Sequence, residues 1–567
     1  MKKIIFTFLG VSILFVAVAQ DLNEQVTVVA PYQPKLTDVV YKINRQPQTL
    51  DTTFKTGALR YDIISRKVIT SFGTENIKPA RVAGEPIEKL SPLHARAGYG
   101  NYKTPYAELF VGSLRSQKWQ GGAHLKHRSS QSTIEPDDDD NAPYIYDNSV
   151  NQAELFGSLV TDKVQLSSML YFNRNRFSIL QDTGYPVSPK RIYSNMGINL
   201  NLEDNMLDPT KFRHKTQVNI NYLNANVNFN EIGIEVSTDI GKQYDFGDHF
   251  SETFIGFSGE VNMHGAVCDS LSFNSNTIKL QPYVSVNLKN HRFKIGLKFN
   301  TYSNDSRTER YMKMQLAPVL DFRFNLVPSV FAVYLGMDGD VNQYTYRYIT
   351  KSNPFLDYRL STTFDYKPDL QRQYYAGIST AVSKRLNLKL QSTFVTYQNL
   401  CYFYGTTGLS AFDPSYGIIS PTPRVSYRYV PAYITEKTIS CVQLQGDLSY
   451  QWDEKFSTHL MGRFNYYDQQ VPYRPIHEMT LDLRYSMQDK IIIKSQLMVG
   501  GDFYTNVMNE EKLNKTMADW SIDVEYRFNK QFSAFADFNN ILNQRNYLWE
   551  WYPTYRFNFL VGLSFTL

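Results

Sequence analysis

Four consecutive aspartates, Asp137, Asp138, Asp139 and Asp140, stand in the stretch EPDDDDN. Hard cations take carboxylate oxygens, so the run could hold Ca²⁺. A calcium loop spaces its ligands and turns on a glycine, which this stretch lacks; a solvated charged loop is the competing reading. In HLKH, His124 and His127 would make a zinc pair on a helix. On a strand, residues three apart face opposite sides and cannot share an ion. The three cysteines, Cys268, Cys401 and Cys441, are too few for a disulfide framework and show no zinc spacing. Cys401 and Cys441 flank one long loop. A bridge between them would staple its base if their Cα atoms come within disulfide reach; otherwise both are free thiols. Trp549, Trp551 and Tyr552 in LWEWYPTY, and the Tyr-rich stretch 404–417, could stack on ligand rings or belong to an aromatic girdle at a lipid interface. No Ser/His/Asp or paired-carboxylate set assembles, so the chain is not read as an enzyme, and no cofactor is implied.

What must position such residues is legible in the chain's periodicity. In RFNFLVGLSFTL, the last twelve residues, Phe557, Phe559, Val561, Leu563, Phe565 and Leu567 are apolar, and most even positions are small or polar. A period of two marks a strand with one oily and one wet face. The pattern recurs in IKLQPYVSVNLK (278–289), FKIGLKFN (293–300), MTLDLRYSM (479–487) and WSIDVEYRF (520–528). Charges sit in the middle of these wet faces, at Lys294, Lys298, Arg484, Asp523 and Arg527, which suits a water-filled lumen. The connections alternate between short turns (161–163, 383–385, 452–455, 488–490, 529–531) and longer polar loops.

Aromatic residues make up 14% of the chain, with 41 Tyr and 36 Phe, yet the mean hydropathy is only −0.38. That pairing excludes a bundle of membrane helices, each of which needs about 20 apolar residues in a row. Only helices and closed barrels satisfy their backbone hydrogen bonds in lipid. The expectation is therefore an all-β, antiparallel transmembrane barrel over residues 93–567, with 22 strands and 20 or 24 as alternatives. The stretches 247–272 and 344–374 make the count ambiguous. The last strand is expected to close against the first, with both termini on the short-turn side.

The one apolar run, MKKIIFTFLGVSILFVAVAQ, has a basic start at Lys2 and Lys3 and small residues at Ala17-Val18-Ala19. It reads as a secretory signal peptide, residues 1–19, cut after Ala19. Formal charge then falls from +5 to +3 as Lys2 and Lys3 are lost, and no basic block points to nucleic acid. Residues 20–92 are weakly patterned and Pro-containing, with one plausible hairpin in LRYDIISRKVITSF; they read as a periplasmic segment.

Three stretches carry a family resemblance. FADFNNILNQRNYLWEWYPTYRFNFLVGLSFTL resembles the end of TonB-dependent receptors, with Asn540–Asn543, Tyr547 and Gly562–Leu567 at the matching positions. EQVTVVAPY resembles a TonB box, whose core here is Glu24, Gln25, Val26, Thr27, Val28 and Val29. The run from IKPARVAGEP to GGAHLKHRSS is similar to the barrel entry of a plug-poor subset. The last residue, Leu567, departs from the usual aromatic, and 20–92 is shorter than a full plug. The resemblance implies a Gram-negative outer-membrane receptor or transporter for an unidentified solute, coupled to a TonB-type energy protein. A non-conducting barrel that anchors a periplasmic or surface partner is the alternative. A lumen this wide must be filled by the N-terminal segment, by inward-folded loops or by a partner.

Overall fold

A computed structural model of the chain describes residues 91–567 except for short intervals, the longest being 135–143, 180–189, 357–367 and 505–511. All described residues belong to one compact unit, Pro86–Leu567. The TonB-box-like residues, the hairpin expected near residue 60, Asp137–Asp140 and Trp551 fall outside them.

Twenty-two antiparallel strands form one sheet that closes on itself. The first strand, Leu93–Gly100, pairs with the last, Asn558–Thr566, in a register that sets Gly98 opposite Gly562. The terminal strand therefore has a neighbour on each side, Leu93–Gly100 and Phe532–Asn539, and no sheet edge is left. The barrel accounts for the alternation in the final twelve residues. Phe559, Val561 and Leu563 point outward and are exposed, while Leu560 and Ser564 point inward and are buried. The same division holds for Ile295, Leu297 and Phe299 outside against Lys294, Lys298 and Asn300 inside. No helix among the described residues is long and apolar enough to cross a membrane. Strands do it instead, with a hydrophobic outer wall and a hydrogen-bonded backbone.

The wall is uneven in height. Leu93–Gly100, Thr104–Gly112 and Phe532–Asn539 have 8 or 9 residues, whereas Leu271–Leu288 and Arg310–Val327 have 18. At about 3.3 Å per residue and a tilt near 40°, the long strands rise roughly 45 Å, well beyond a lipid band of about 25 Å. The two ambiguous stretches resolve here. Residues 247–272 hold the whole of the strand Glu252–Cys268, which pairs with Leu271–Leu288. Residues 344–374 contain a short helix, Tyr346–Ser352, which the two-residue pattern did not announce. Most of the Tyr-rich stretch 404–417 lies in a separate hairpin of Leu400–Asp413 and Ile418–Ile434.

Candidate functional site

Inward-facing residues at the long-loop end gather into one apolar cluster. It joins Tyr193, Leu223, Phe229 and Phe273 of the tall wall to Tyr346, Ile349 and Phe355 of the helical loop. Tyr473 and Tyr552, from two loops much later in the chain, belong to the same cluster. The barrel's mouth is thus spanned by its own loops on this side. Phe355 stacks on Tyr552, and the Phe229 and Tyr346 rings lie 4.3 Å apart between centroids.

Glu231 fastens the helix. This inward residue of the wall is 1% exposed, and its carboxylate accepts from the backbone N–H of Tyr346 at 2.7 Å and of Arg347 at 3.1 Å. The first N–H groups of a helix have no partner within it, so a carboxylate placed there meets both unsatisfied donors and the positive end of the helix. Thr345 caps the same end, accepting from the Tyr348 N–H at 3.2 Å. Arg347 reaches Glu235 at 3.4 Å, and Tyr193 donates to the Pro354 carbonyl at 2.9 Å. Tyr344 donates to Asp369 at 2.9 Å, and burial first, then the Asp369 charge, pushes its hydroxyl pKa well above the ordinary tyrosine value.

Beside this cap lies a cavity of about 320 Å³ lined by Tyr344, Tyr348, Arg463, Tyr467, Arg474 and Trp549, among others. Trp549 packs on Tyr473 at 4.9 Å and edge-on to Phe403 at 5.3 Å. A larger cavity of about 730 Å³ is lined by amides, hydroxyls and the carboxylates Glu235 and Glu260, interleaved with apolar residues such as Phe156 and Met169. Its charge is internally balanced: Glu235 pairs with Arg347, and Glu260 with Lys279, which also holds Asp340 at 2.9 Å.

The charges expected in the lumen all lie on the inward face, in different settings. Lys298 pairs with Asp338 at 2.8 Å, and Lys294 sits 3.9 Å over the Tyr283 ring. Arg484 stands opposite Lys494, and Lys494 opposite Asp523, on neighbouring strands. Arg527 pairs with Glu525 at 3.1 Å near the short-turn end. His124 faces inward between Glu108 (3.0 Å) and Glu154 (3.3 Å), while His127 bonds Asn151 on the other face. Two expectations are corrected. Cys401 and Cys441 are free, buried thiols, each packed in a separate apolar cluster at the loop base, so no bridge forms. Tyr552 is not an exposed platform but is 5% exposed in the mouth cluster, and Trp549 packs half-buried against that cluster, so neither sits in a lipid-facing girdle. Glu231, Arg347 and Arg474 were missed, because irregular loops carry no periodicity and a single carboxylate on a strand looks like any other wet-face residue.

The closed 22-strand barrel with an apolar outer wall and a polar lumen is the architecture of TonB-dependent receptors. Solved structures bear this out at the level of fold. The FrpB iron transporter from Neisseria meningitidis superposes with a TM-score of 0.62 at 9% identity, over 85% of this chain and 82% of that one. The ferric-catecholate import receptor Fiu from E. coli K12 gives 0.59 at 11% identity, over 85% and 82%. The copper transporter OprC gives 0.57 at 12%, over 85% and 81%. No family model matches the sequence, and no curated protein matches it.

Proposed function

We propose that the chain is an outer-membrane receptor and transporter that admits a solute through a lumen closed by its own helical loop. The observation that carries this reading is the loop of residues 343–356, docked on Glu231 inside the mouth beside a cavity that holds paired charges, Glu235 with Arg347 and Glu260 with Lys279. A scaffold that conducts nothing has no need of a cavity with paired charges beneath a folded closure. On this reading both termini are periplasmic, residues 20–92 follow a signal peptide, and Glu24–Val29 pair as an added strand with a TonB-type protein. Selectivity then falls to the inward charges, above all the Arg484, Lys494 and Asp523 group. The structural neighbours named above carry iron, ferric catecholates and copper. Among the described residues no group of three His, Cys, Asp or Glu could hold a bare ion.

Planar-bilayer conductance tests the proposal. The full chain is expected to be silent, and the chain lacking 343–356 to open steady channels. Silence of both would favour the anchoring barrel, as would failure of a 24–32 peptide to capture a TonB-type protein.

A further inference from the structure

Arg474 sits in VPYRP, between Pro472 and Pro475, in the loop that joins the strands Phe456–Tyr467 and His477–Met487. Proline fixes its own φ and restricts the residue before it, so the backbone at Arg474 has little freedom. The side chain is half-buried and lines the 320 Å³ cavity at the mouth. Its Nη2 donates to the Cys401 carbonyl at 3.3 Å. The hydroxyl-bearing residues Tyr344, Tyr348 and Tyr467 line the same cavity, and tyrosine is neutral near pH 7. The adjacent carboxylate, Asp369, is already engaged, accepting from Tyr344 at 2.9 Å and Gln371 at 2.6 Å. Among the described residues, Arg474 has no carboxylate partner. Arg463, on the same cavity, has Glu478 at 3.9 Å.

A guanidinium drawn from bulk water with no carboxylate in ion-pair contact is costly, and its fork of donors matches a carboxylate or phosphate oxygen pair. The cavity wall supplies the rest of a recognition surface. Trp549 and Tyr473 form an aromatic side, and the tyrosine hydroxyls are donors that favour negative charge. We infer that this cavity is a binding site for a solute bearing an anionic group on a flat apolar ring, with the anion on Arg474 and the ring beside Trp549. The inference rests on the reading of the chain as a solute receptor and names the class of solute. It also gives Trp549 a setting: it lines a pocket rather than standing as an exposed platform.

Saturation-transfer NMR on the detergent-solubilised full chain tests it with three probes: benzoate, its neutral analogue benzyl alcohol, and acetate. Benzoate is expected to bind saturably and about tenfold more tightly than either of the others. Arg474→Gln should reduce benzoate affinity about tenfold and leave benzyl alcohol within twofold, and Arg474→Lys should restore part of the loss. Trp549→Ala should weaken benzoate and benzyl alcohol alike. Equal affinity for benzoate and benzyl alcohol, an unaffected Arg474→Gln, or no saturable benzoate binding would each overturn the site. If Arg474→Gln fails to run as a folded, heat-modifiable barrel, the benzoate and benzyl alcohol contrast in the unaltered chain decides. Benzoate binding in a chain that stays silent without 343–356 would retain the pocket and remove the transporter; the converse result would do the opposite.

Discussion

At the seam of the barrel, two glycines let two backbones and a ring come together. A Cβ on Gly98 would lie 2.8 Å from the Val561 carbonyl oxygen and 3.1 Å from the Phe535 ring. One on Gly562, directly across, would meet the Ala97 carbonyl, and would reach the Phe535 ring at 2.5 Å. Phe535 therefore lies over the glycine pair, with the Arg96 guanidinium 4.1 Å above its face, a cation–π contact. The ring fills the space the missing side chains leave and covers the join where the chain's two ends meet. Gly562→Val should cost about 1–3 kcal/mol through overpacking. The check is the urea midpoint of the barrel refolded into vesicles, with Ser564→Val, on the same strand, as the comparison. An unchanged midpoint for Gly562→Val would mean that the seam tolerates bulk and that Phe535 moves freely.

Among the elements, the helix Tyr346–Ser352 depends most on what surrounds it. Seven residues are too few for an isolated helix to persist in water. It forms because Glu231 and Thr345 meet its free N–H groups and because Tyr346 and Ile349 are buried against the wall. Glu231→Gln should weaken docking by about 1.5–3 kcal/mol, the range for a hydrogen bond to a charged group. Limited proteolysis of 343–356 would show this as faster cleavage, with the barrel fragment intact. Alkali should act in the same direction through Tyr344. Its hydroxyl keeps its proton more firmly in the docked loop than in the free one, since burial and Asp369 raise its pKa. Docking is then at full strength below the ordinary tyrosine pKa of about 10 and weakens as pH rises above it. Tyr344→Phe should remove the part of the alkaline rise in cleavage that belongs to this residue, and an identical pH profile in the variant would exclude the mechanism.

For the molecule as a whole, the inward and outward faces make opposite demands on neighbouring residues. Leu563 is 63% exposed on the outer wall, while Ser564, next to it, is 4% exposed on the inner one. An arginine at the bilayer midplane of a barrel costs about 2–4 kcal/mol. Leu563→Arg should therefore lower stability in vesicles by up to that amount. The loss should shrink in a detergent micelle, whose boundary adapts to a charge. An equal loss in micelles and vesicles would mean that this face does not meet lipid. The sequence by itself determined this two-sidedness, the strand number to within two and the expected closure of last strand on first; the structure fixed the number at 22. All three rest on a period of two that every barrel strand repeats, because lipid on one side and water on the other select each residue separately. It also determined which charges face the lumen, since parity along a strand fixes the side. Only the tertiary structure decided what those charges do: Lys298 is neutralised by Asp338, from a strand it does not adjoin, whereas Arg484 stands against Lys494. Likewise, it decided that Tyr552 turns inward, that the cysteines stay apart, and that Glu231 receives a helix from a segment 115 residues later. Loops are positioned by contacts with distant parts of the chain, and such contacts leave no periodic trace in the residues that make them.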